Sequence, residues 1–143
     1  MPSADAAPSS PTPRALAIVV VDDDHDTADS TSTLLRLHGH RVVTARNGAD
    51  ALELIKSATP DAVLADLRMP RMDGFELAQQ IVAHCGDGAP VLIAMTAVAE
   101  EHMIERIARA GFHLHLIKPV DPARLLDSLD GIRAKPRGGT PGS

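Results

Sequence analysis

Four strand-like runs in this chain stop at residues that can do chemistry. The run 62–65 ends at Asp66, and Met69-Pro70 and Asp73-Gly74 follow as turn signals before a helical pattern opens at Phe75. The run 15–21 ends at Asp22, Asp23 and Asp24. The run 91–95 gives way to Thr96-Ala97, and the run 113–117 ends at Lys118-Pro119. As parallel strands, these runs would place all four ends on one edge, which is where open α/β sheets bind ligands. Carboxylates brought close repel, and this raises their affinity for a proton or a cation. Oxygen-only donors suit Mg²⁺, which keeps some of its waters and prefers a phosphate alongside. A lysine and a threonine facing the same point supply a charge and a hydroxyl donor for phosphoryl oxygens. Together these residues describe a phosphoryl-transfer site with a carboxylate at its centre.

The elements that must position them alternate. Strand-like runs fall at 15–21, 41–45, 62–65, 91–95 and 113–117, and helical patterns at about 27–37, 49–57, 75–84, 99–110 and 122–132. In the last helix Leu125, Leu126, Leu129 and Ile132 form one apolar face. Gly39, Gly86 and Gly111 lie just past three helices, as C-terminal caps do. Strict β-α alternation predicts a parallel sheet covered by helices on both faces. The first, third and fourth strands are almost unbroken apolar runs, as doubly covered strands are.

The 143 residues and 44% apolar content fit a single domain with a real core. Residues 1–14 carry Pro2, Pro8, Pro11 and Pro13 among Ser and Ala and are expected to be a disordered lead. Residues 135–143 are expected to be a flexible tail, leaving 15–134 as the folded unit. No run is long enough to span a bilayer, and the lead lacks the apolar stretch of a signal peptide. The net charge is -5 and the basic residues are scattered, which argues against nucleic acid as a partner. Cys85 is the only cysteine, so no internal disulfide can form, and a reducing cytoplasm is the expected setting.

Taken in order at successive strand ends, Asp22-Asp23, Asp66 with Met69-Pro70 and Asp73-Gly74, Thr96-Ala97 and Lys118-Pro119 resemble the receiver domains of two-component response regulators. Each piece alone is weak, but the ordered set with its spacing is specific. The resemblance implies a flavodoxin-like, doubly wound five-stranded sheet of order 2-1-3-4-5. It implies that Asp66 is the phosphoacceptor, loaded from a phosphohistidine on a histidine kinase or a histidine phosphotransfer protein. It implies that Asp22, Asp23, Asp66 and the backbone carbonyl of Arg68 hold Mg²⁺, that Lys118 pairs with the phosphoryl group, and that Thr96 donates its hydroxyl to it. It also implies a cis Lys118–Pro119 bond, and output to a partner protein through the face made by helix four, strand five and helix five. Where the family usually has Tyr or Phe, three residues before the lysine, this chain has His115, and it has no Tyr or Trp at all. Thr96 and His115 are therefore the expected switch pair. Arg68 and Val98 occupy positions that tune phosphoryl lifetime in the family. Both a stand-alone regulator and a receiver of a hybrid kinase fit the sequence.

Other classes meet specific obstacles. A Mg²⁺-dependent phosphohydrolase with an aspartyl nucleophile is the alternative, but its haloacid dehalogenase form needs Asp-x-Asp-x-Thr/Val, and this chain reads Asp22-Asp-Asp-His-Asp26. A calcium loop on Asp22, Asp24 and Asp26 fails at Thr27 and Thr33, where Gly and Glu are required. A flavodoxin would need a phosphate loop and a Trp or Tyr beside the flavin. Asp24 and Asp26 are expected as loop or helix-capping residues, with Asp26 capping the first helix. Asp73-Gly74 is expected to be chiefly a turn.

Overall fold

The computed structural model describes residues 15–97 and 100–133. Both expected tails, and the positions Val98 and Ala99, lie outside the described residues. The elements run β1 Ala17–Val21, α1 His25–Leu37, β2 Arg41–Ala45, α2 Gly48–Ser57, β3 Ala62–Asp66, α3 Gly74–Cys85, a 3-10 turn Gly86–Gly88, β4 Val91–Thr96, α4 Glu101–Ala110, β5 Leu114–Ile117 and α5 Pro122–Arg133. The sheet order is β2-β1-β3-β4-β5, and every pairing is parallel. This is the predicted doubly wound order. From β1 the chain steps outward to β2 and then crosses back to β3, so the strand order reverses between β1 and β3.

Alternation along the strands divides the core in two. Val19 and Val21 of β1, Val63 and Ala65 of β3, and Leu92 and Ala94 of β4 pack with Ile55, Leu77, Ile81 and Ile107 from α2, α3 and α4. Their neighbours Ile18, Val20, Leu64, Ile93 and Met95 pack with Leu35, Leu125 and Leu129 from α1 and α5. Both faces of the central strands are therefore removed from water, as their unbroken apolar sequence requires. Each fully buried Leu or Ile contributes about 1.5–3 kcal/mol.

The end of the sheet away from the site is finished by side chains. The residue just before each of β2, β3 and β5 accepts an N–H from a neighbouring strand. His40 Nδ1 takes the Leu16 N–H at 3.1 Å, Asp61 Oδ2 takes the Ala17 N–H at 2.8 Å, and His113 Nδ1 takes the Leu92 N–H at 3.0 Å. On the outer edge, Arg36 Nη2 donates to the Val42 carbonyl at 2.8 Å, which blunts an edge otherwise open to pairing.

Helix caps differ from expectation in two places. Helix α1 begins at His25, and its cap is Asp24 instead of Asp26. The extended backbone of Asp24 lets its Oδ1 accept from the N–H groups of Asp26 (3.1 Å) and Thr27 (3.4 Å), so Asp26 already sits in the first turn. Helix α3 begins at Gly74, and Asp73 is more than a turn residue: its carboxylate accepts the Glu76 N–H at 2.9 Å. Past the helices, Gly39, Gly86 and Gly111 all have positive φ, the backbone that the predicted caps need.

Candidate phosphoryl-transfer site

The carboxyl edge of the sheet carries the site residues because each strand stops there. Asp66 is the last residue of β3, and Asp22 follows β1 directly, its N–H extending the ladder to the Ala45 carbonyl at 3.1 Å. Asp66 is 7% exposed and Asp22 is 0% exposed. Lys118 follows β5, where its N–H donates to the Thr96 carbonyl at 2.8 Å. That bond fixes the root of the lysine, and the side chain reaches across the edge. Its Nζ donates to Asp22 Oδ2 and to Asp66 Oδ2, each at 3.1 Å. The Lys118–Pro119 bond is cis, as the resemblance implies.

Each buried carboxylate has a second donor. Asp66 Oδ1 accepts the Arg68 N–H at 3.1 Å, and Asp22 Oδ1 accepts the Asp24 N–H at 2.9 Å. Asp23 is exposed. A carboxylate oxygen from each of Asp22, Asp23 and Asp66 lies within 4.8 Å of the others, so the three can hold one metal ion. Three hard oxygen donors on a partly open edge fit a hard divalent cation that retains water.

The electrostatics follow from this arrangement. Burial pushes the Asp22 carboxyl above its ordinary value; the N–H of Asp24 and the Lys118 ammonium oppose the shift, and the nearby Asp66 charge adds to it. Burial pulls the Lys118 ammonium down, but the bonds and charges of Asp66 and Asp22 outweigh burial and hold it above the usual lysine value. Lys118 therefore stays charged. Asp24 is held below the usual carboxylate range, first by the N–H of Thr27 that it caps.

The other predicted residues fall nearby. Thr96 closes β4, is 7% exposed, and shares the strand face of Leu92 and Ala94. His115 is half-buried in β5, opposite Ala94, while Thr96 is opposite Ile117. Leu116 belongs to the core on the α1 and α5 side, so His115 and Ile117 face the same side as Thr96. Arg68 is exposed on the loop after Asp66. That loop stays close because Gly74 packs on it: a Cβ there would come within 2.7 Å of the Asp66 carbonyl oxygen and 2.8 Å of Leu67 Cα.

A cavity of about 730 Å³ opens beside the site, lined in part by Arg68, Phe75, Thr96, Glu100, Met103 and Arg106. Sequence reasoning missed Arg106, whose guanidinium carbon lies 3.9 Å from the centre of the Phe75 ring. No local pattern could show this contact, because α3 and α4 bring the two residues together.

Comparison with known proteins decides the family. The model of the response regulator receiver domain matches residues 18–130. The chain belongs to the response regulator receiver domain family. It is similar to an uncharacterised 14.6 kDa protein of Leptolyngbya boryana, at 41% identity over 76% of this chain and 83% of the relative. It is also similar to protein PilH of Pseudomonas aeruginosa, at 34% identity over 82% of this chain and 97% of PilH. Response regulator MprA of Mycolicibacterium vanbaalenii is 40% identical over 76% of this chain, which spans only 46% of the length of MprA. Among solved structures, a putative response regulator from Chloroflexus aurantiacus superposes with a TM-score of 0.79 at 28% identity, covering 85% of this chain and all 100% of the other. Chemotaxis protein CheY4 of Vibrio cholerae gives 0.78 at 25% identity, covering 83% and 99%. As a receiver, the chain is a signalling domain of two-component systems. No helix among its described residues is long and apolar enough to cross a membrane.

Proposed function

We propose that this receiver takes a phosphoryl group onto Asp66 from a phosphohistidine of a histidine kinase or a histidine phosphotransfer protein, and passes the signal on by protein contact. One observation carries the proposal: a single ammonium, Lys118, bonded to both buried carboxylates at 3.1 Å, beside a third carboxylate that completes a metal-capable set. Asp22, Asp23, Asp66 and the Arg68 backbone carbonyl are the residues that would hold Mg²⁺. Bound there, the ion supplies positive charge that lets an anionic donor approach three carboxylates.

An Asp66 oxygen attacks phosphorus while the bond from phosphorus to the imidazole nitrogen breaks, and the electron pair returns to the ring. Lys118 then exchanges its bond to the Asp66 carboxylate for one to the arriving phosphoryl oxygens. Thr96 donates its hydroxyl to another of them, a charge-assisted bond that exists only once the group is present. The movement of Thr96 is transmitted to His115, which lies on the same side of the sheet one residue pair away. Output leaves through the face of α4, β5 and α5, where Ile104 and Ile117 are 39% and 52% exposed. The working unit is residues 15–134, with Asp66 loaded and unloaded in place and no external phosphate ester turned over.

Intact mass after brief incubation with acetyl phosphate tests the proposal. One phosphoryl adduct is expected with Mg²⁺ and none without it. A full adduct in Asp66→Asn would reject the assignment.

A further inference from the structure

Arg106 is a charge that the reactions above do not use. It projects from α4 into the cavity beside Thr96 and lies over the Phe75 ring at 3.9 Å. Among the described residues no carboxylate lies within ion-pair distance of it. The two acids that share the cavity are turned to other partners: Asp73 caps α3, and Glu100 lies 3.7 Å from the His102 ring. The cavity thus combines apolar walls, from Met69, Phe75 and Met103, with a guanidinium that forms no ion pair among the described residues.

In-line attack by Asp66 expels the leaving group on the side of phosphorus opposite to the carboxylate, away from the strand end and toward the space between the loops. The cavity reaches that edge at Thr96 and at Arg68, whose N–H donates to Asp66. We infer that Arg106 selects the phosphodonor by receiving the leaving group of small acyl phosphates. The step balances without a redox partner: the bond from phosphorus to the acyl oxygen breaks, its electron pair stays on that oxygen, and the new bond joins phosphorus to an Asp66 oxygen. The leaving group is a carboxylate, for which the planar fork of an arginine is well matched. Its carbon part rests on the methionine and phenylalanine walls. A donor that expels a neutral amine gains nothing from the guanidinium.

The inference rests on Asp66 being the phosphoacceptor, and two donors separate the claims. Rates of adduct formation are followed by intact mass in Mg²⁺ buffer for wild type, Arg106→Gln and Arg106→Lys, with acetyl phosphate and with phosphoramidate. Arg106→Gln is expected to slow the reaction with acetyl phosphate about fivefold, the worth of a charge pair at an exposed site. Its rate with phosphoramidate should stay at the wild-type value, and Arg106→Lys should recover part of the acetyl phosphate rate. Equal slowing with both donors would mean that Arg106 acts only by packing α4 on Phe75, and would overturn the inference. So would an unchanged acetyl phosphate rate. A wild type that takes up no phosphoryl group from either donor would reject the phosphoacceptor itself, and this inference with it.

Discussion

At the scale of the residue, the site is a balance between three like charges and one opposite charge. Lys118 and Asp23 sit on opposite sides of that balance, and their removal should have opposite effects. Lys118→Met leaves Asp22 and Asp66 without their shared cation, and losing one partner of an enclosed pair costs on the order of 3 kcal/mol. Urea unfolding of the metal-free protein should show that loss. Asp23→Ala removes only a like charge from an exposed position, so the metal-free variant should melt at or above the wild-type temperature. It should also lose the stabilisation that Mg²⁺ gives the wild type, about 2.7 kcal/mol at a hundredfold excess over the dissociation constant. A metal-free Asp23→Ala that melts clearly below wild type would make Asp23 a structural residue. Asp66, Thr96 and Lys118 were legible in the sequence because strand-like runs stop at them. The family resemblance set Asp22 and Asp23 apart from Asp24, but the residue types alone did not. Three consecutive aspartates look alike in sequence, and only their different exposure and N–H partners separate an enclosed carboxylate, an open carboxylate and a helix cap.

At the scale of the element, strands and helices were legible to within a few residues from period and caps. The contacts between them were less so. Gly74 read as a turn glycine, yet its role is close approach: α3 begins against the backbone of Asp66 and Leu67. Gly74→Ala forces that backbone to move, and overpacking of this kind costs about 1–3 kcal/mol. The urea midpoint should fall, and the loop that carries Arg68 should shift in its backbone NMR resonances. A variant as stable as wild type would show that the loop yields freely. The amino edge of the sheet makes a second case. His40 is 5% exposed and accepts the Leu16 N–H, so His40→Ala leaves a buried donor without that partner, at a cost of about 1–3 kcal/mol. Its sequence signal was present but easily overlooked, since the same position, one residue before a strand, recurs at Asp61 and His113.

At the scale of the whole molecule, strand order places β1 and β3 side by side, and so brings Asp22 and Asp66 together from distant parts of the chain. Alternation and spacing predicted a parallel sheet, but its order came from the family resemblance, because periodicity does not say which strands are neighbours. Across the sheet, Thr96 and His115 belong to adjacent strands on one face. A beryllofluoride mimic of the phosphoryl group should therefore move the NMR signals of both, the Thr96 hydroxyl region and the His115 ring. A change at Thr96 with a silent His115 ring would route the signal through the backbone instead. All of this depends on where the phosphoryl group resides. An aspartyl phosphate is an acyl phosphate, so borohydride reduces it to homoserine and marks the residue permanently. After incubation with acetyl phosphate and Mg²⁺, followed by borohydride and peptide mass mapping, homoserine should replace aspartate at position 66 and nowhere else. Homoserine at Asp22 or Asp23, or unmodified Asp66 in a protein that carries a phosphoryl adduct, would contradict the account.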